Sequence, residues 1–215
     1  MAYFNLSAFT CSGIMVMMVS LFFSVESKEN YNETELNLPK VLNTSLPLYL
    51  YYTCSNIFVQ NECTKNICIV ETYTCINMRK NMLTNYTYNF TLSTRKNVSM
   101  WDNTTYFAEF VNKTPPSPPS EMMYNTTTEG RMPYTIDMNL TFNEPDFYNC
   151  SVFNVTYTFN GLHLVPMETS MYIRGQLPNN TQPSEDCISH FLTYCRNRTI
   201  YKPYNSNCTL NETIC

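Results

Sequence analysis

The chain has 215 residues, a length that suits one domain with a leader or tail. Thirteen Lys/Arg against seventeen Asp/Glu give a net charge of −4 with no basic cluster, which excludes a surface built on phosphate contacts to nucleic acid. Two histidines, four glycines and the absence of GxGxxG, P-loop, HExxH and GxSxG motifs exclude the common frames for nucleotide, zinc-hydrolase and serine-hydrolase chemistry.

Residues 1–27 read as a signal peptide. The apolar run at 14–23 is about half the ~20 residues that span a bilayer, and Val25 and Ser27 fit the small-residue rule, so cleavage is expected after Ser27. The leader departs from the usual pattern in carrying no Lys or Arg. No later segment is long and apolar enough to span, so a soluble, extracellular chain of 28–215 is expected, with no membrane partner.

Residues 28–47 are polar and aperiodic, and read as an extended or weakly helical arm. The β-rich part is expected over 48–215, with the C-terminal helix and tail. Runs rich in β-formers follow at 47–53, 68–75, 86–92, 105–111, 133–142, 150–159 and 163–173, about seven strands joined mostly by Asn/Asp/Gly/Pro turns. That pattern is an all-β meander, a sandwich or an up-and-down barrel. Residues 113–132 are dense in Pro, Ser and Thr, and read as a long exposed loop insert. Near the C-terminus, Ser184 is placed to N-cap a short amphipathic helix carrying Cys187, Ile188, Phe191, Leu192 and Cys195. Cys187 and Cys195 stand about 12 Å apart along such a helix, too far to bond each other, so each must staple the helix elsewhere.

Asparagine is the unusual residue: 27 of 215. Sixteen stand in N-x-S/T sequons, where random placement among 43 Ser/Thr would give about five. Fifteen lie beyond the leader, at Asn32, Asn43, Asn85, Asn89, Asn97, Asn103, Asn112, Asn125, Asn139, Asn149, Asn154, Asn179, Asn197, Asn207 and Asn211. Each is a candidate glycan acceptor, and glycans would hydrate a surface with only 14% charged residues.

A glycosylated asparagine must face outward, and strand side chains alternate. With Asn85 and Asn89 outward, Tyr86, Tyr88 and Phe90 face inward; Asn139 outward puts Tyr134, Ile136 and Met138 inside; Asn154 outward puts Phe153 and Tyr157 inside. The rule breaks at 105–111, because Asn103 and Asn112 have opposite parity, as a bulge or a strand end would produce.

Ten cysteines occur, and Cys11 leaves with the leader. The other nine read as disulfide cysteines of an oxidising compartment, with one odd thiol for which Cys215 is the first candidate. A monomer is expected, with a disulfide dimer open through that thiol.

This order resembles the lipocalins of tick saliva, the histamine-binding protein family. The resemblance rests on Phe147-Tyr148-Asn149-Cys150-Ser151-Val152, on Cys187-x3-Phe191-x3-Cys195, and on Ile200-Tyr201 running to Asn205-Ser206-Asn207-Cys208. Cys68 adds weaker support. The family implies an all-β fold, an eight-stranded antiparallel up-and-down barrel around a ligand cavity, with a C-terminal helix stapled by disulfides. Its pairings carry over as Cys150–Cys187 and Cys68–Cys208. It also implies a secreted, non-enzymatic protein, without cofactor or metal, that sequesters a small-molecule host mediator. The lining set is Tyr86, Tyr88, Phe90, Tyr134, Ile136, Met138, Phe153 and Tyr157, which suits a lipid or an aromatic amphiphile, or else simply fills the core as small barrel interiors often are filled. An amine needs a carboxylate: Asp137 shares the outward parity of Asn139, whereas Glu71, Glu109 and Glu168 could face inward, and Glu71 and Glu109 complete the candidate site. The alternative is a glycosylated module that binds a host immune protein, with the barrel only as scaffold. An enzyme resting on His163 or His190 is disfavoured, since His190 sits off the apolar stripe of its helix.

Overall fold

A computed structural model describes residues 35–209 apart from 56–61, 65–66, 70–73, 97–99, 112–116, 127–132, 160–161, 179–180 and 197; for 55, 62–64, 67–69, 163–167 and 209 it describes the backbone. Helix α1 (Leu38–Leu42) leads into β1 (Leu48–Ser55), the short hairpin β2 (Glu62–Thr64) and β3 (Ile67–Ile69), then β4 (Thr74–Leu83), β5 (Thr87–Arg95) and β6 (Trp101–Val111). Strands β7 (Glu121–Asn125), β8 (Thr135–Asn143), β9 (Cys150–Phe159) and β10 (Leu162–Arg174) follow. Helix α2 (Glu185–Tyr194), strand β11 (Thr199–Tyr201) and a 3-10 turn at Ser206–Thr209 complete the order.

The sheet order is β10-β9-β8-β7-β6-β5-β4-β1, every neighbour is antiparallel, and β1 pairs back to β10. This is a closed eight-stranded up-and-down barrel. Closure leaves no free edge in the main wall. Toward its C-terminal end β1 pairs with β11 through Thr53, Cys54 and Ser55, where it no longer pairs with β4.

Two strands differ from the expected seven. The run at 68–75 is not one strand: Cys68 belongs to β3, and β4 begins at Thr74. Strand β4 is missing from the sequence reading because TCINMRKNML mixes charge and amide with apolar residues. The insert at 113–132 contains β7, with Met122 and Tyr124 buried. Its prolines stop at Pro119, so the ladder loses no N–H there.

The end of the expected arm is also structured. Leu38, Val41 and Leu42 are fully buried in the barrel interior. Asn37 N-caps α1, its side chain accepting from the Lys40 N–H (3.1 Å), and its own N–H donates to Asn143 Oδ1 (3.1 Å). Arg174 Nη2 donates to the carbonyls of Lys40 (3.0 Å) and Val41 (2.9 Å), which lack helical partners. One end of the barrel is closed by this helix.

Helix α2 lies on the outer wall. Ser184 N-caps it through the Cys187 N–H (3.4 Å), and Phe191 packs into a second cluster with Tyr49, Val152, Met171 and Ile173. Leu192, expected on the buried stripe, is exposed. Disulfides join Cys150 to Cys187, Cys54 to Cys195 and Cys75 to Cys208. The expected Cys68–Cys208 pairing is therefore corrected. Cys68 sits opposite Cys63 in the β2–β3 ladder. Cys75 lies under the tail, where its N–H donates to the Pro203 carbonyl (3.0 Å).

Candidate functional site

The site lies in the barrel toward the end opposite α1, and backbone irregularities build it. In β1 the register to β10 shifts between Leu50 and Tyr52. Tyr51 and Tyr52 therefore both pack on the outer cluster, and Thr53 turns inward. In β10 the register to β9 shifts between Leu164 and Glu168, across a stretch containing Pro166, which has no N–H for a ladder. Beyond that shift Glu168, Ser170 and Tyr172 point to the interior, while Met171 and Ile173 face α2.

Glu168 is the polar centre. Its Oε1 accepts from Thr53 Oγ1 (2.8 Å) and Ser170 Oγ (2.6 Å), and its Oε2 accepts from the Tyr157 hydroxyl (2.8 Å). Among the described residues no Lys or Arg reaches it, so three neutral hydroxyls hold a carboxylate without a counter-ion. Phenols surround it. Tyr134 lies tilted against Tyr157 (5.9 Å between centroids) and Tyr106 against Tyr124 (5.1 Å), and Phe153 meets Tyr172 edge-on (5.6 Å). Burial pushes the Tyr157 and Tyr172 hydroxyls up, and the field of Glu168 adds to it. Burial also raises Tyr124, with Tyr172, Tyr106 and Glu168 contributing. These phenols stay protonated near neutral pH and remain donors.

Most expected lining residues do point inward. Tyr88, Phe90, Ile136, Met138 and Phe153 are buried in the interior cluster, and half-buried Tyr134 and Tyr157 pack against it. Of these, Tyr134, Phe153 and Tyr157 adjoin the Glu168 group, while Tyr88 and Phe90 stack on each other (5.1 Å). Two assignments are corrected. Tyr86 is 72% exposed, because it sits in the turn before β5, where Thr84 Oγ1 accepts from its N–H (3.2 Å) and the strand alternation has not begun. Glu109 is exposed, because β6 turns Tyr106, Ala108 and Phe110 inward and so points odd positions out. That phase also places Asn103 outside. Glu71 lies outside the described residues.

Thr53, Tyr106, Tyr124, Ser170 and Tyr172 were not in the expected set. Tyr124 was hidden in the Pro-rich insert, and Tyr172 had no outward marker, since β10 carries no sequon. Nine sequon asparagines are described and none is buried: Asn43, Asn85, Asn103, Asn125, Asn149 and Asn207 are exposed, and Asn89, Asn139 and Asn154 half-buried. The two buried asparagines, Asn77 and Asn143, are each 1% exposed and neither begins a sequon. Among the described residues no His/Cys/Asp/Glu group is arranged to hold a metal, and no helix is long and apolar enough to cross a membrane.

An open cleft of about 840 Å³ lies elsewhere, lined by Tyr51, Leu177, Pro178, Gln182, Lys202 and Tyr204. Lys202 Nζ rests 4.7 Å above the Tyr51 ring.

No family model matches the chain, and no curated protein matches it. Solved structures do. Japanin from Rhipicephalus appendiculatus bound to cholesterol is 14% identical over 76% of this chain and 96% of that one (TM-score 0.46). The siderocalin Ex-FABP is 13% identical over 75% and 94% (TM-score 0.47). A deswapped triple mutant of bovine odorant-binding protein is 12% identical over 75% and 95% (TM-score 0.45). The functional reading rests on the residues around Glu168 instead.

Proposed function

We propose that the chain is a secreted, glycosylated carrier that sequesters a small host mediator inside its barrel, and that the mediator is an aromatic biogenic amine of the histamine or serotonin kind. The observation that carries this reading is the Glu168 carboxylate, held by Thr53, Ser170 and Tyr157 with no cationic side chain in reach among the described residues. Glu168 is half-buried; a carboxylate partly withdrawn from water with only neutral donors around it favours a cationic partner, and an ammonium supplies one. The ring of tyrosines adds cation–π faces for the ammonium and stacking surfaces for an aromatic ligand.

The same carboxylate argues against an acidic lipid, whose own carboxylate it would repel. It also argues for a carrier over an enzyme. Thr53 and Ser170 donate directly to Glu168, and among the described residues no imidazole stands between hydroxyl and acid to activate a nucleophile.

Calorimetric titration with serotonin and with histamine tests the reading. Wild type is expected to bind at least one of them, and Glu168→Gln to weaken it at least tenfold, about 1.4 kcal/mol. Equal affinity in the two proteins, or capture of a neutral lipid with no amine binding, contradicts it.

A further inference from the structure

The three most exposed aromatic rings among the described residues are Tyr86 (72%), Phe147 (71%) and Phe107 (70%). Single exposed apolar residues are ordinary on a surface. These three share a neighbour: each adjoins a sequon asparagine. Tyr86 follows Asn85, Phe147 stands two before Asn149, and Phe107 is the cross-strand partner of Asn89.

The backbone fixes two of these pairs. The turn at 144–149 is tied by the Glu144 N–H to the Cys150 carbonyl (2.9 Å) and the Phe147 N–H to the Pro145 carbonyl (2.7 Å). Tyr148, at φ +52°, tucks beneath the Arg174 guanidinium (5.8 Å to the ring centroid), leaving Phe147 and Asn149 exposed on either side. On the wall, Asn89 and Phe107 are register partners of β5 and β6 on the outer face. Such partners place their Cβ atoms about 4.5–5.5 Å apart. Asn81 Nδ2 donates to Asn89 Oδ1 (3.2 Å), which leaves Asn89 Nδ2, the atom a sugar is joined to, unengaged by any described residue. Met82, itself exposed, flanks Asn89 from β4.

We propose that the N-glycans of this chain dock on its own surface rings: the first sugar on Asn149 covers Phe147, and the first sugar on Asn89 covers Phe107. One face of a pyranose is a row of C–H groups, which suits the negative face of an aromatic ring. The contact removes apolar surface from water that the protein alone leaves open. The proposal stands apart from the amine reading, since both pairs lie on the outside of the barrel.

The test uses the secreted protein in a high-mannose glycoform, with occupancy of Asn89 and Asn149 read by glycopeptide mass spectrometry. One aliquot is trimmed by endoglycosidase H to a single sugar per site. The other is stripped by peptide-N-glycosidase. The stripped wild type is expected to melt about 2–4 °C below the trimmed one. In Phe107→Ser/Phe147→Ser, two exposed positions, the gap between the two treatments is expected to close. A gap of equal size in both backgrounds, no gap in wild type, or empty Asn89 and Asn149 overturns the proposal. So does a melting temperature of the trimmed form that rises with protein concentration, because then a second copy covers the rings.

Discussion

Glu168 sets the chemistry of the interior, and its cost is visible in what surrounds it. Two oxygens take three hydroxyl donors, and the nearest phenols stay neutral. Hydrogen bonds from three hydroxyls satisfy this half-buried acceptor, but hydroxyls do not neutralise its charge. Ligand-free Glu168→Gln is therefore expected to melt at or above the wild-type temperature, read by differential scanning calorimetry. Added amine should raise the wild-type value alone, by linkage. A variant that melts several degrees lower without ligand would instead make Glu168 a structural residue. The sequence allows Glu168 as one of three carboxylates able to face in, but the candidate site it suggests is completed with Glu71 and Glu109 and leaves Glu168 out. Outward sequons marked the phase of β5, β8 and β9, which is why Phe90, Met138 and Phe153 were legible. Strand β10 has no sequon, and its register shift resets the alternation just before Glu168. Thr53 was hidden for the same reason, turned inward by an irregularity at Tyr51 that no pattern announces.

At the scale of elements, helix α2 was legible and α1 was not. The α2 pattern carries an N-cap serine, acids in the first turn and cysteines on its buried side. Helix α1 is five residues inside a polar stretch, too short for periodicity, and it is stabilised by tertiary contacts from Asn143 and Arg174. Strand β7 escaped because composition was averaged over twenty residues, although Glu121–Asn125 is free of proline. His190 gives α2 a pH dependence. Its ring lies against Phe142 (5.1 Å) and Tyr194 (5.3 Å), its Nε2 is buried without a partner, and burial lowers its pKa below the usual 6.5. The neutral ring is favoured in the folded state. Its contribution is therefore present above pH ~6.5 and is lost as pH falls through the lower folded value. The melting temperature of His190→Gln is expected to fall less than that of wild type between pH 7 and pH 5. Parallel curves would place the ring outside that balance.

At the scale of the molecule, the outer surface divides in two. Sequon asparagines stand on five consecutive strands: Asn89, Asn103, Asn125, Asn139 and Asn154 on β5 to β9. Strands β10, β1 and β4 carry none, and three disulfides bind the tail to Cys54 on β1 and Cys75 on β4, within that bare region, and to Cys150 at the start of β9 beside it. A disulfide-tied tail suits an oxidising compartment, and each bridge commonly contributes about 2–4 kcal/mol. Helix α1 closes one end of the barrel, and the Glu168 group lies toward the other, where the proposed amine would be held.

The central claim is that this interior holds an amine through Glu168. Native mass spectrometry of the secreted, deglycosylated protein tests it most directly, with wild type and Glu168→Gln each incubated with serotonin, histamine and a neutral sterol. The account predicts one amine retained by wild type, released on denaturation in organic solvent, and absent from the variant. No retained amine, or a sterol held equally by both proteins, would contradict it.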